Sequence, residues 1–429
     1  MTERADTKYT GEFFVEGMTD AEKQRAAAVD SVLPALKAAA AEVDREGAFH
    51  RPHVKTLSDA GLMGLIVPKS HGGMGGGLRD LAAATYALGT ACPSTALAFF
   101  FHCSSASRGL LALEALENGF FDASEKEAVQ AFADKVLNTM GHEKKWLANF
   151  ASESVKSEKA AITISTKAKK IDGGYLLNGV KSFGCATGVA DQYLVTASLE
   201  GNDTGAGLCT FFIDPKATGV SERQKWDAIG MRGTATHGII LEDVIVSDEN
   251  ALAIPGAFVK CMQMSRGSFV GNQLAGIAVY LGAGKAIYDA SLHNLKTFTF
   301  GDTGKPIGHA PFQQELIGKM MVELETATIW LRRQLELEAA EVPLLPKHEV
   351  VQRWRLCKGV VAESAFKLAT YALKTSGTSG TGFSAPMARG LRDMAMALVQ
   401  AFPIERGRLM AAQMEMDGAE QSQFGVSKK

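Results

Sequence analysis

Asp172-Gly-Gly-Tyr-Leu-Leu-Asn-Gly-Val-Lys-Ser-Phe183 reads as a tight turn leading into a short strand, and it sets the character of the middle of the chain. The Asp-Gly-Gly triplet offers the backbone freedom that a reversal needs. Similar short runs rich in Val, Ile, Thr and aromatics lie around it, at 160–166, 192–199, 208–213 and 238–246. Turn residues separate them at Gly201-Asn202-Asp203 and Asp214-Pro215. Strands at this spacing predict a small antiparallel barrel or sandwich. No helix-length segment lies between them, which argues against a parallel nucleotide-binding sheet with helical crossovers.

Outward from this module the periodicity changes. From Asp20 to about Leu147 apolar residues recur every three or four positions, most clearly at 21–41, 52–60, 78–88 and 94–115. Gly61, Pro68, the glycines of 72–77 and Pro93 punctuate that region. No strand precedes the glycine run and no G-K-[ST] follows it, so it reads as a loop between helices rather than a phosphate cradle. After Pro255 the helical period returns over 257–298, 311–340, 348–375 and 387–416, enough for a bundle. The expected fold class is therefore α+β: an N-terminal helical domain over 1–148, a central β-barrel or sandwich domain over 149–252, and a C-terminal four-helix bundle over 253–429. Only the first and last ten residues look loose.

Composition narrows the function. With 429 residues, 46% hydrophobic and 21% charged, the chain has the make-up of an ordinary soluble globular protein of two or three domains. A formal charge of −2 argues against a dedicated nucleic-acid binder. Residues 1–18 lack the apolar core of a signal peptide, and the apolar run 96–101 is too short to span a bilayer, so the expected location is cytoplasmic, with no membrane partner. The six cysteines are scattered, with no C-x-x-C pair and no zinc spacing, so no metal is expected and the thiols read as reduced.

Several landmarks then fall in a telling order. They are 57–68 with Gly72, Gly73 and Gly75, the Asp172–Phe183 stretch itself, and Gly230-Met-Arg-Gly-Thr-Ala-Thr-His-Gly238 running on to Val244. Phe300-Gly301 with Phe312-Gln313, and Pro386-Met-Ala-Arg-Gly-Leu-Arg392-Asp393, complete the series. In this order they resemble the acyl-CoA dehydrogenase superfamily over nearly the whole chain. The resemblance implies FAD, with its ring between the β domain and the bundle and its far end completed by a second subunit of a homotetramer or dimer. It implies a small-molecule substrate, a CoA thioester in many members. Carried across position by position, it assigns cofactor contacts to Ser152, Phe183, Cys185, Phe300, Gln313, Gly377 and Gly380. FMN is the alternative, because the adenine-side Arg expected just before Phe300 is replaced.

The chain also departs from that family. The usual catalytic Glu lies nine residues beyond the Arg of the Arg-Asp pair, and counting from Arg392 gives Ala401. The earlier position used by some relatives falls on Asn272. Neither can take a proton. Glu405, one turn past Ala401, is the nearest alternative, while Asp393 reads as an ion-pair partner of arginine. The Lys181-Ser-Phe-Gly-Cys-Ala-Thr-Gly188 segment looks more like the branch of the superfamily that reacts with oxygen, and His102 occupies a place comparable to an active-site histidine of that branch. Their second histidine, after the Arg-Asp pair, has no counterpart here. Three functions are expected from this pattern: oxidation or oxygenation of a small substrate with O2; ordinary α,β-dehydrogenation with an electron-transfer flavoprotein as partner; or a non-catalytic subunit of a hetero-oligomer.

Overall fold

The computed structural model describes residues 17–155, 162–267, 273–418 and 424–426. Helix α1 (Asp20–Glu46) starts where Thr19 and Glu22 cap one another: Glu22 N–H donates to Thr19 Oγ1 at 3.2 Å and Thr19 N–H to Glu22 Oε2 at 2.9 Å. It is followed by α2 (Pro52–Asp59), α3 (Leu78–Ala91), α4 (Pro93–Glu117) and α5 (Ala123–Gly141). Val129, Phe132, Ala133, Val136, Leu137 and Met140 give α5 its buried stripe. Helix α4 is long and apolar enough to cross a membrane, yet 83% of its apolar window is buried within the protein.

The middle region forms one eight-stranded sheet in the order β7 (Val220–Glu222), β8 (Ile239–Ser247), β4 (Gly174–Lys181), β3 (Lys167–Ile171), β5 (Gln192–Leu199), β6 (Leu208–Ile213) and β9 (Ala251–Leu252), with β1 (Leu147–Phe150) also on β5. The opening motif is the hairpin of β3 (Lys167–Ile171) and β4 (Gly174–Lys181), turning at Asp172 and Gly173, whose φ of 71° suits glycine. The expectation of an all-antiparallel module needs correction. Strand β5 (Gln192–Leu199) runs parallel to both β1 (Leu147–Phe150) and β3. These two lie end to end along one edge of β5, pairing with 192–195 and 198–199 respectively. No helix makes the crossover here: the 182–191 loop runs beside β1, from Ser182, whose N–H donates to the Ser152 carbonyl, to Asp191, whose N–H donates to the Trp146 carbonyl. The remaining ladders, including β4 with β8 (Ile239–Ser247) and β5 with β6 (Leu208–Ile213), are antiparallel. Residues 424–426, within the tail that looked loose, pair with β2 (Ile162–Ile164).

The C-terminal helices are α6 (Ala257–Met262), α7 (Gln273–Thr297), α8 (Pro311–Ala339), α9 (Lys347–Ser376), α10 (Pro386–Ala397) and α11 (Ile404–Asp417). The expected helix over 387–416 is thus two helices. Pro403 has no N–H with which to continue α10, and Ala401 turns the chain through a left-handed backbone, φ 66°. Lys358 secures the bend by donating to the carbonyls of Phe402 at 2.6 Å and Leu398 at 3.3 Å.

Helices α3 and α7 bind the N-terminal domain to the bundle through a close approach. A Cβ on Gly282 would lie 1.9 Å from the Tyr86 carbonyl oxygen, and one on Gly89 would lie 2.4 Å from that of Val279. Thr85 Oγ1 adds a bond to the Ala275 carbonyl at 2.7 Å. Helix α4 is fastened to its surroundings by His102, which is wholly buried. Nε2 of His102 donates to the Met63 carbonyl at 2.9 Å, and Nδ1 accepts from Leu147 N–H at 3.0 Å.

G282A is expected to cost about 1–3 kcal/mol by overpacking. G284A in the same helix, whose Cβ meets nothing within 4 Å, is expected to be neutral or slightly stabilising. Urea midpoints of the two variants check this. A second expectation concerns pH. Burial lowers the His102 pKa from 6.5 to about 4, and burial with neighbouring His50 does the same to His53. Protons then bind the unfolded chain first, so this stability is fully present above pH 6.5 and is lost as pH falls toward 4. Asp393 acts in the opposite sense, because burial raises its pKa from 3.8 to about 6 and its contribution fades as pH rises through that value. The informative measurement is therefore the change in urea midpoint between pH 7 and 5 for wild type against H102Q. The variant should show a shallower loss on acidification; equal losses would mean that His102 titrates as it does in the unfolded chain.

Candidate active site

A cavity of about 520 Å³ lies where the sheet, α4 and the C-terminal helices meet. Leu97, Phe101, Ser104 and Arg108 line it from α4, at the four-three-four spacing that keeps one helical face in view. Ser152 and Glu153 follow β1, while Phe183 and Cys185 follow β4. Trp226, Thr234 and Thr236 come from the loop ahead of β8, and Tyr280 and Trp354 from α7 and α9. The α10–α11 bend closes it with Met396, Gln400, Ala401 and Phe402.

Two loops of the sheet domain hold each other in register at this site. Ala186 and Thr187 N–H groups donate to the carbonyls of Thr234 and Ala235 at 2.8 and 3.0 Å, and Ser182 N–H donates to the Ser152 carbonyl at 2.9 Å. Cys185 Sγ lies 3.2 Å from Thr236 Oγ1, which is 2.7 Å from Thr234 Oγ1. Burial pushes the Cys185 thiol up to about 12, so at neutral pH it is a neutral hydrogen-bonding group, not a thiolate. Phe183 and Trp226 meet edge to face at 6.1 Å between ring centroids.

Glu153 is the carboxylate on the cavity wall among the described residues. It is fully engaged. Lys181 Nζ donates to Oε1 at 2.5 Å, Thr166 donates through Oγ1 at 2.7 Å and N at 3.1 Å, and Ser165 donates to Oε2 through N at 2.7 Å and also through its hydroxyl. Burial opposes the charge on Glu153, but Lys181 and these donors outweigh it and hold the carboxyl below its usual range. A carboxylate so saturated has no lone pair to offer a substrate proton.

Each expected site residue can now be placed. Ser152, Phe183 and Cys185 come together on the cavity. Phe300, Gln313, Gly377 and Gly380 do not. Gln313 donates to the Thr375 carbonyl at 3.3 Å, which sets the start of α8 against the end of α9 and the glycine loop that follows. His102, expected in the active site, is absent from the cavity wall, and both its ring nitrogens are occupied by backbone groups that fasten α4. Ala401 lines the cavity, so the position where the resemblance puts a base carries only a methyl group. Glu405 is exposed and lies off the cavity wall. Asp393 does not pair with arginine; its Oδ1 accepts from Met231 N–H at 2.6 Å, while Arg392 pairs with Asp44. Asn272 lies outside the described residues. Sequence reasoning missed Thr234, Thr236, Tyr280, Trp354 and Arg108. The threonines were visible as Thr-x-Thr inside a quoted landmark; Tyr280 and Trp354 look like core aromatics.

The cavity suits a flavin. Its size is that of a cofactor pocket, its walls are mostly apolar and aromatic, and polar side chains reach it both from the sheet domain (Ser152, Cys185, Thr234, Thr236) and from the helices (Arg108, Tyr280, Arg406). The buried Tyr280 hydroxyl and Trp354 Nε1 have no hydrogen-bond partner among the described residues. Such donors are costly unless a ligand supplies acceptors.

Comparison with known proteins agrees with this geometry. The acyl-CoA dehydrogenase N-terminal, middle and C-terminal domain models match residues 19–113, 149–244 and 274–402. A putative acyl-CoA dehydrogenase, YdbM of Bacillus subtilis (strain 168), is 28% identical over 382 residues, covering 88% of this chain and 93% of that protein. The structure of butyryl-CoA dehydrogenase from Megasphaera elsdenii superposes with a TM-score of 0.77 at 20% identity, covering 94% of this chain and 100% of that one. The dibenzothiophene monooxygenase TdsC from Paenibacillus sp. A11-2 gives 0.75 at 18%, covering 95% and 100%. These two structural likenesses concern the fold alone. With all three domain models matched in order around a flavin-sized cavity, the chain belongs to the acyl-CoA dehydrogenase superfamily of flavoprotein oxidoreductases.

Proposed function

We propose that this flavoprotein oxidises or oxygenates a small substrate with O2, and that it does so without the proton-abstracting carboxylate of the dehydrogenases. The observation that carries this reading is the cavity wall: Ala401 stands at the base position and Glu153, the acid on the wall, is already saturated by Lys181, Ser165 and Thr166. α,β-Desaturation of a thioester needs a base at the α-carbon. The curated relatives that are named as dehydrogenases favour desaturation as the second reading, and a carboxylate delivered to the cavity would be its requirement.

FAD is the proposed cofactor, and when reduced it supplies electrons to O2. Ser152, Cys185 and Thr236 would hold it through neutral hydrogen-bonding groups, and Phe183 and Trp226 would supply aromatic packing. Leu97, Phe101 and Met396 add apolar wall and so limit water, which favours oxygen chemistry over loss of reduced flavin to solvent. Phe300, Gln313, Gly377 and Gly380 lie off this cavity, which supports their serving the cofactor of a neighbouring copy in a homo-oligomer. Exposed apolar side chains on and before α8, including Phe298 at 60% and Phe312 at 64% exposure, support such self-association.

The test is spectroscopic. Holoprotein mixed anaerobically with saturated acyl-CoA thioesters should keep its oxidised flavin absorbance. Flavin reduced by an external reductase should consume O2 at a rate that rises when substrate is added. Bleaching by an acyl-CoA in the absence of O2 would establish desaturation instead.

A further inference from the structure

Arg108 sits in a position that the cofactor reading does not use. It is 4% exposed, it lines the cavity, and it carries a guanidinium with no carboxylate partner among the described residues. Its contacts are weak for a buried cation. Nη2 reaches Thr196 Oγ1 at 3.4 Å, Nη1 reaches the Met262 sulfur at 3.7 Å, and the group lies 4.9 Å from the centre of the Phe258 ring. Nε has no partner. Burial lowers its pKa from 12.5 to about 10, so it remains charged at neutral pH.

An unpaired buried cation costs several kcal/mol unless an opposite charge joins it. The chain contains buried cations that are properly answered: Lys181 by Glu153, and Lys358 by two carbonyl oxygens. Arg108 is treated differently, and the difference is directional. Positions 97, 101, 104 and 108 lie on one face of α4, so the same stripe that presents Leu97 and Phe101 to the cavity ends in the guanidinium. A second cation, Arg406, lines the cavity from α11, and Glu153 is neutralised by Lys181. The space is therefore electropositive, apolar along its length, and charged at the Arg108 end.

We propose that Arg108 anchors an oxyanion of the substrate, a carboxylate or sulfonate at the end of a short apolar chain. The planar fork of the guanidinium fits such a group through paired hydrogen bonds, and the apolar face of α4 carries the chain toward the flavin side. This rests on the cavity being the substrate site, not on which oxidation occurs there.

The probes are hexanoate and its uncharged isostere hexanamide, titrated into flavin-loaded protein and followed by emission of the cavity residues Trp226 and Trp354 and by flavin absorbance. Wild type should bind hexanoate about tenfold or more tightly than hexanamide, the range of a charge-assisted pair. R108M should lose that preference while keeping its affinity for hexanamide; R108K should retain part of it, having the charge without the fork. Thermal unfolding of each variant separates loss of recognition from loss of fold, and if R108M does not fold, R108K against wild type decides. Equal binding of the two probes by wild type overturns the proposal, as does a preference that survives in R108M or that is lost only in R406M. Substrate-stimulated O2 uptake is measured separately, so the anchor and the reaction can fail independently.

Discussion

The structure hangs on the junction where Asp44, Arg392 and Asp393 bring three domains to one point. Arg392 of α10 donates to both carboxylate oxygens of Asp44 on α1, at 2.8 and 2.5 Å, and to the carbonyls of Ile229 and Phe383 at 3.0 Å each. Its neighbour Asp393 accepts from Met231 N–H at 2.6 Å, and Arg232 donates to the Asp44 carbonyl at 2.8 Å. The Asp44 side chain is 8% exposed and that of Arg392 18%, so the pair is shielded from water and bidentate, the geometry in which an ion pair has most effect. Gly230 fits here because any Cβ would strike the Arg392 carbonyl, at 2.0 Å. The site loop begins at the next residue. Thr234 and Thr236 reach the cavity from a segment that is fixed at once to α1, to α10 and, through Thr234 and Ala235 carbonyls, to the 186–187 loop.

Much of the fold was readable because local signals and tertiary demands agree. Asp172-Gly173 turns where a hairpin must turn, and the 3.6-residue stripes of α1, α8 and α9 are the faces that are buried, while α3 and α4 are buried nearly all round. The misreadings have physical causes. Periodicity in 387–416 continues through the α10–α11 bend, since apolar residues on both sides still pack inward; Pro403 was the signal that outweighed it. The parallel pairing of β1 with β5 has no local signature, because register between strands so far apart in sequence, Leu147 opposite Gln192, is decided by what else the sheet must pack against. Residues 424–426 pair with β2 for the same nonlocal reason.

The site shows the same division. Ser152, Phe183 and Cys185 fall together on the cavity because they follow strands directly and their backbones are tied together, so sequence position carries spatial position. His102 faces away from the cavity through helix geometry. It is one residue past Phe101, a rotation of about 100° around the helix axis, which turns it from the cavity toward Met63 and Leu147. The same arithmetic would have found Arg108, which completes the 97-101-104-108 stripe, had the helix been read by face rather than by residue type.

The α10–α11 bend explains why no neighbouring acid takes over from Ala401. Lys358, lowered by burial to about 8 in pKa although the charge of Glu405 opposes the shift, holds the carbonyls of Leu398 and Phe402 from behind the bend. Glu405 therefore belongs to the field of Lys358, not to the cavity that Ala401 lines. Bringing it to a substrate carbon would require α11 to turn about its axis, against the packing of Gly407 on Arg355, where a Cβ would stand 2.5 Å from the carbonyl oxygen. The bend thus keeps its carboxylate out by construction. What the cavity offers in its place is a set of neutral hydroxyl and thiol groups, an indole N–H, a phenol and two guanidinium groups, an arrangement suited to acceptors and negative charge rather than to taking a proton.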